Sequence, residues 1–115
     1  MPLLALQTSA PLSDSQCQEL LASLSRIVAE CIGKPERYVM ITISEAAILM
    51  AGSKGLAAYA DLCSIGGLSG EVNRRLSERI CALLHEQLGI LPDRVYLNFT
   101  SVTAANWGWN GGTFG

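Results

Sequence analysis

The sequence predicts an α+β fold in which two β-α-β units follow one another, giving a four-stranded mixed sheet with two helices on one face. Two amphipathic helical patterns, at residues 17–31 and 72–88, each lie between two runs that are typical of strands. The letters PER at 35–37 recur as PDR at 92–94, half a chain length further on, which indicates an internal duplication. The 115 residues suffice for one core, so we expect a single domain over 1–115.

The first unit begins with a predicted strand at residues 3–7. Ser13 and Gln16 then form a capping-box pattern that marks the start of a helix. Gly33 is the residue type that commonly ends a helix. The β-branched run at residues 39–43 predicts the second strand.

The second unit repeats this order. A third strand is predicted at residues 58–63, a helix leads from Gly70 to a stop at Gly89, and residues 95–99 predict the fourth strand. The tail NWGWNGGTFG is rich in glycine and aromatic residues and predicts a short strand or a hairpin.

The sheet is expected to have one bare face. Right-handed crossovers place both helices on the same face of the sheet. The strands nevertheless carry apolar residues on both faces, since Leu3 and Leu4 are neighbours in the first strand and Met40 and Ile41 in the second. Only 16% of the residues are charged, against about 25% in a typical soluble domain. The sequence therefore predicts an oligomer that covers the bare face.

Charge and cysteine content argue against several classes of function. The net charge is −2 without a basic cluster, which argues against a nucleic-acid partner. The apolar runs are shorter than the roughly 20 residues that span a bilayer, and the start of the chain lacks Lys and Arg. We therefore expect no membrane segment, no secretory signal and a cytoplasmic location. The four cysteines lack C-x-x-C spacing and His85 is the sole histidine, so we expect reduced thiols and no metal site.

The opening letters MPLLAL allow two interpretations of Pro2. Proline has no N–H and is tolerated as the first residue of a strand, so Pro2 can simply open the first strand. If Met1 is removed, the Pro2 nitrogen instead becomes a free secondary amine that can act as an acid or a base. This stretch alone does not decide between the two.

Five stretches resemble one known family. They are MP at the start, GKPERYV at 33–39, SIGG at 64–67, LPDRVYLNF at 91–99 and AANWGWNGGTF at 104–114. Over essentially its whole length, the chain resembles the macrophage migration inhibitory factor family of the tautomerase superfamily. The resemblance implies a homotrimer whose three sheets enclose a channel, with active sites between neighbouring subunits.

The same resemblance implies an enzyme that interconverts the keto and enol forms of 2-keto acids such as phenylpyruvate. Dopachrome-type compounds are a further expectation of the family, and no cofactor is implied. Pro2, freed by removal of Met1, is the implied catalytic base. Lys34 and the backbone N–H of Ile65, whose neighbour is Ser64, are implied to hold the substrate carboxylate.

Two further groups of residues follow from the resemblance. Tyr96 and Asn98 alternate along the fourth strand and are implied to enter the site of a neighbouring subunit. The implied pocket rim consists of Leu3, Tyr38, Trp107, Trp109 and Phe114.

Simpler interpretations stand beside these roles. By spacing alone, Lys34 is a solvated loop lysine. The glycines at 66–70 are needed for a strand-to-helix turn in any case. Aromatic residues in the tail and on the fourth strand are equally typical of packing between subunits.

The chain departs from the family pattern at three places. Residues 57–60 read AAYA where the mammalian cytokine has C-x-x-C, so the thiol–disulfide activity claimed for the family lacks its motif. Cys63 stands where a histidine is often found, and Trp107 is larger than the usual aliphatic residue. The resemblance also keeps an alternative function open, because proteins of this family leave cells without a signal peptide. It is a secreted, cytokine-like protein that binds a cell-surface receptor and has a vestigial tautomerase pocket.

Overall fold

The computed structural model describes all 115 residues and contains two nineteen-residue helices and one main sheet. The main strands are β1 (Pro2–Thr8), β2 (Met40–Glu45), β3 (Ala58–Ser64) and β4 (Val95–Ser101). The helices are α1 (Asp14–Ile32) and α2 (Gly70–Leu88), and a hairpin of β5 (Gly108–Trp109) and β6 (Gly112–Thr113) lies in the tail. This confirms the predicted α+β fold. Neither helix is long and apolar enough to cross a membrane.

The sheet has the strand order β2-β1-β3-β4. β1 pairs in parallel with β2, and β3 pairs in parallel with β4, as the two β-α-β units require. β1 and β3 pair antiparallel and join the two units at the centre of the sheet. The sheet is therefore mixed, with the strands that open each unit in its interior.

The helix ends follow the signals in the sequence. The Ser13 hydroxyl accepts from the Gln16 N–H at 3.2 Å, and the Gln16 side chain accepts from the Ser13 N–H, which completes the capping box. Gly33 ends α1 with φ +77°, and Gly89 ends α2 with φ +71°. Both glycines adopt the left-handed conformation that residues with a Cβ avoid.

The element boundaries differ from the prediction by a few residues, and the start of β2 has a local cause. β2 begins at Met40 instead of Val39 and extends to Glu45. The Val39 N–H donates to the Glu36 carbonyl at 3.0 Å and so closes a short 3-10 turn at Glu36–Tyr38. That turn uses a group that a strand would pair with its neighbour.

Both helices pack on the same face of the sheet, as predicted. Alternate residues of β1 and β3 are buried against them, and the two helices contribute Leu20, Leu24, Leu76, Ile80 and Leu84 to the same core. Each of these five side chains is fully buried. Such burial contributes about 1.5–3 kcal/mol per side chain and is the main stabilising term of the fold.

The opposite face, which we call the open face, is less apolar than the sequence suggested. It carries apolar side chains mainly at one end, where Leu3 pairs with Met40. Elsewhere its side chains are mostly polar or amphipathic, namely Gln7, Thr42, Ser44, Tyr59, Asp61, Cys63, Tyr96, Asn98 and Thr100. The expectation of a broadly apolar bare face was therefore wrong, because Ile41 and Ile43 point to the helices.

The duplicated triplets adopt the same local structure but make different contacts. Both form 3-10 turns, at Glu36–Tyr38 and Pro92–Arg94. In the second turn, the Arg94 guanidinium donates to four backbone carbonyls of the loop after β2, at Met50, Ser53, Gly55 and Leu56, over 2.8–3.1 Å. Arg37 forms no such bonds. The second arginine therefore fixes a loop, and the first does not.

The turn between β3 and α2 packs closely on the end of α1. Gly66 and Gly67 have φ values of +70° and +81°. A Cβ at Gly67 would lie 2.5 Å from the Ile32 Cγ2 methyl and 3.4 Å from the Ile32 carbonyl oxygen, whereas a Cβ at Gly66 meets nothing within 4 Å.

This difference predicts the effects of two alanine substitutions. Gly66→Ala introduces only left-handed backbone strain, which costs about 1–2 kcal/mol. Gly67→Ala adds the collision with Ile32 and should cost roughly 1–3 kcal/mol more. Urea unfolding of both variants measures the difference; equal losses would show that the turn moves freely away from α1.

Candidate active site

The four main strands share one end of the sheet, and the edge formed by their ends carries the candidate site. β1 and β2 begin there, β3 and β4 end there, and the register aligns Leu3 with Met40 and Pro2 with Ser64. The loop after α1, the turn before α2 and the tail after β4 all emerge at this edge. Polar and aromatic residues that are distant in sequence are therefore brought together by the strand directions alone.

A cleft of about 340 Å³ opens at this edge. Its lining is mainly apolar and consists of Met1, Pro2, Leu3, Arg37, Tyr38, Val39, Met40, Trp107, Gly108, Trp109 and Phe114. The lining includes Pro2 and all five residues expected at the pocket rim. No Asp or Glu lines it, so an anion that enters meets no opposing carboxylate.

The Pro2 nitrogen is directed towards the β2 side of β1. The Ser64 carbonyl accepts from the Val102 N–H at 2.8 Å on the β4 side, so Pro2 and Ser64 form a non-hydrogen-bonded pair. In β1, the even-numbered residues therefore direct their backbone groups to β2, and the Thr8 carbonyl indeed accepts there from the Ala46 N–H at 2.9 Å. The Pro2 nitrogen consequently lies where Tyr38 and Val39 line the cleft.

The aromatic wall is built from two segments of the chain. Tyr38 follows α1, Trp109 ends β5 of the tail hairpin, and Phe114 directly follows β6. The Trp109 and Phe114 rings stack at 5.4 Å between centroids, and Tyr38 meets Trp109 edge-on at 6.3 Å. The Phe114 N–H donates to the Trp107 carbonyl at 3.1 Å and closes the tail. The wall offers flat surfaces for a flat ligand.

Lys34 lies beside the cleft without lining it. Its Cε lies 3.7 Å from the point that a Cβ on Gly67 would occupy, so the side chain runs past the turn before α2. Partial burial, and then the charge of Lys34, lower the pKa of the Met1 amino group below its ordinary value. The cation is therefore close enough to act on charge at the start of β1.

The Ser64 side chain is directed away from the cleft. It is fully buried on the helix face, and its hydroxyl donates to the Gly66 carbonyl at 2.7 Å. The serine thus shapes the turn, and Ile65, which follows it, is half-buried. Neither residue lines the cleft of the single chain.

Tyr96 and Asn98 lie elsewhere in the subunit. Pro2 is level with Ser101 of β4, since both align with Ser64 of β3. Tyr96 is five positions from Ser101, which corresponds to about 16 Å along the strand. Both side chains lie on the open face, where Asn98 donates to the Tyr59 hydroxyl at 3.1 Å and Tyr96 is 67% exposed. A single chain does not bring them to its own cleft.

The sequence did not identify several lining residues as part of the site. These are Met1, Arg37, Val39, Met40 and Gly108. Arg37 stands both in the repeated triplet and in the stretch GKPERYV, and its position directly before Tyr38 is the signal that points to the cleft. Val39 and Met40 read as ordinary strand residues because alternation alone does not say which strand borders a cleft.

Known proteins are similar to this chain in both sequence and architecture. The macrophage migration inhibitory factor family profile matches residues 1–115. The macrophage migration inhibitory factor of Meriones unguiculatus is 38% identical over 115 residues, which cover 99% of each chain.

Solved structures give the same result. The chain matches the macrophage migration inhibitory factor-like protein of Entamoeba histolytica with a TM-score of 0.95 and 34% identity, over 98% of both chains. It matches the homologue from Prochlorococcus marinus with a TM-score of 0.93 and 38% identity, over 98% of this chain and 99% of that one. Since similarity extends over essentially the full length in sequence and structure, the chain belongs to the macrophage migration inhibitory factor family.

Proposed function

We propose that this protein is a keto–enol tautomerase that acts on 2-keto acids of the phenylpyruvate type. The observation that carries the proposal is the position of the Pro2 nitrogen, which is directed into an aromatic-lined cleft beside a lysine. The amine can act as the base, the cation can bind the carboxylate, and the flat apolar walls can bind the ring of an aromatic 2-keto acid.

The base in this reaction is Pro2 after removal of Met1. The neutral amine takes a proton from the carbon next to the keto group. The electrons of that C–H bond form the carbon–carbon double bond, and the carbonyl π electrons move to oxygen. The oxygen receives a proton from the prolinium, either directly or through a water that takes the prolinium proton as it gives up its own. Proton and electron counts balance, and the amine is regenerated.

The cleft also favours the neutral form of the amine. Burial in an apolar site disfavours the charged form, and a neighbouring cation adds to the effect. Both influences already lower the pKa of the Met1 amino group, one residue further out. The Pro2 ring is more deeply buried than Met1, so the same two effects apply to its nitrogen once it is free.

The proposal predicts that activity requires removal of Met1. A preparation that retains Met1 has an amide nitrogen at Pro2, which has no basic lone pair, so phenylpyruvate turnover should fall to background. Intact mass separates the two preparations, and enol absorbance measures the rates. Circular dichroism should be the same for both; full activity with Met1 in place would remove Pro2 from the mechanism.

Lys34 is proposed to bind the substrate carboxylate. A charge-assisted hydrogen bond of this kind contributes about 1.5–3 kcal/mol, so Lys34→Ala should lower kcat/KM for phenylpyruvate roughly 10- to 150-fold. The methyl ester of the substrate should lose far less. Lys54→Ala removes the only other lysine, which lies in an exposed loop, and should leave both rates unchanged.

The pH profile gives a second readout of Lys34. Because the neutral amine is the active form, kcat/KM should rise with pH through a pKa below the ordinary α-amino range of about 7.7–8.0. Lys34→Ala removes a cation that opposes protonation, so the rising limb should move to higher pH. An unmoved limb together with equal losses for acid and ester would contradict both roles of Lys34.

We further propose that the protein works as a homotrimer, in which Tyr96 and Asn98 reach the cleft of a neighbouring subunit. Their exposure on the open face, far from their own cleft, supports this arrangement. Sedimentation equilibrium at micromolar concentration should give three times 12.3 kDa, or 36.9 kDa. A stable species of 12.3 kDa with full activity per chain would contradict it.

A further inference from the structure

We infer that Arg37 is a specificity-determining residue of the cleft, which directs it towards 2-keto acids whose aromatic ring carries a second anionic group. This inference names the substrate class of the proposed tautomerase site and rests on that function. It starts from the one charged side chain that lines the cleft.

The Arg37 guanidinium is free to bind a ligand. It takes part in none of the side-chain hydrogen bonds of the chain, and the only ion pair is Arg79 with Glu30, at 2.9 Å. The comparison with Arg94 is informative, because that arginine holds the matching place in the second unit and donates to four carbonyls. Five N–H donors of Arg37 therefore remain available at the wall of the cleft.

The guanidinium is nevertheless held in place. Its central carbon lies 4.7 Å from the centroid of the Tyr38 ring, a cation–π contact. Tyr38 in turn packs against Trp109, which stacks on Phe114. The cation is thus the end member of the aromatic wall, so a ring lying along that wall can direct a substituent to it.

The two cations of the site differ in position and in chemistry. Lys34 acts on the start of β1, where the reacting carbons of a 2-keto acid lie in the proposed mechanism. Arg37 adjoins the aromatic wall that takes the ring. A planar guanidinium suits a carboxylate because two parallel N–H groups can donate to its two oxygens. The cleft is therefore suited to a substrate that is anionic at both ends.

The test compares (4-carboxyphenyl)pyruvate with the analogue whose ring carboxylate is replaced by a carboxamide. The carboxamide has nearly the same size and carries no charge. In the Met1-free protein, kcat/KM for the carboxylate should exceed that for the carboxamide about 3- to 10-fold, the range of one exposed charge-assisted hydrogen bond. Arg37→Gln should bring this ratio to about 1, and Arg37→Lys should retain part of it. Arg26→Gln, an exposed arginine of α1, should leave the ratio unchanged.

The outcomes separate this inference from the tautomerase proposal. If the wild type converts phenylpyruvate but shows no preference for the carboxylate, or if Arg37→Gln keeps the preference, the role of Arg37 is wrong. If neither compound is converted, the proposed function fails. Calorimetric binding of 4-carboxycinnamate against its ring carboxamide, in wild type and Arg37→Gln, then decides the role of Arg37 without turnover.

Discussion

β1 pairs with antiparallel β3 from Pro2 onward and with parallel β2 from Leu3 onward, and the cleft depends on this placement. Most chains leave their first residues at the surface with few contacts. Here Pro2, Leu4 and Leu6 are buried within the sheet from the second residue onward. Truncating such a leucine to alanine typically costs about 2–5 kcal/mol, so the start of the chain is fixed by the core. A terminal amine in this position has a defined direction and surroundings.

Proline suits the place where this strand begins. The even-numbered residues of β1 direct their backbone groups to β2, whose paired register starts only at Met40 opposite Leu3. A residue at position 2 with an N–H would present that donor to the cleft instead of to a partner strand. Proline has no donor in the chain, so the strand begins without an unsatisfied group. The structural and the catalytic interpretations of Pro2 are therefore compatible.

The electrostatics of the cleft follow from which charges the fold brings to this edge. Lys34 and Arg37 both come from the short segment between α1 and β2, and no carboxylate lines the cleft to neutralise them. Positive potential disfavours a protonated amine at the start of β1 and attracts anionic ligands. In the proposed mechanism both cations attract the anionic substrate, and Lys34 also disfavours protonation of the amine.

The duplicated halves show how one local structure can serve two purposes. Each 3-10 turn leads a helix into a strand and presents an arginine. In the second half the strand lies at the sheet edge beside a long loop, and Arg94 stabilises that loop through its carbonyls. In the first half the tail hairpin covers the corresponding region instead. There Arg37 stacks on Tyr38 of its own turn, whose ring meets Trp109 of the tail, and it keeps its donors free.

The local structure of the chain could be predicted from its residues alone. Capping residues, left-handed glycines and hydrophobic periodicity act over a few positions, so they predicted both helices, four strands and the tail hairpin to within a few residues. The repeated triplet and the family motifs added the tandem arrangement and most of the cleft residues. Each of these features can be recognised from the amino-acid sequence alone.

The three-dimensional fold, by contrast, determines which faces and ends of the elements come together. It turned Ile41 and Ile43 to the helices and left a largely polar open face, which alternation along a strand does not specify. It buried the Ser64 side chain, separated Tyr96 and Asn98 from the cleft of their own chain, and placed Arg37 on the aromatic wall. These outcomes depend on strand register and on contacts between residues distant in sequence. The position of each side chain is set by the strands and segments that it packs against, and the residue type alone does not specify them.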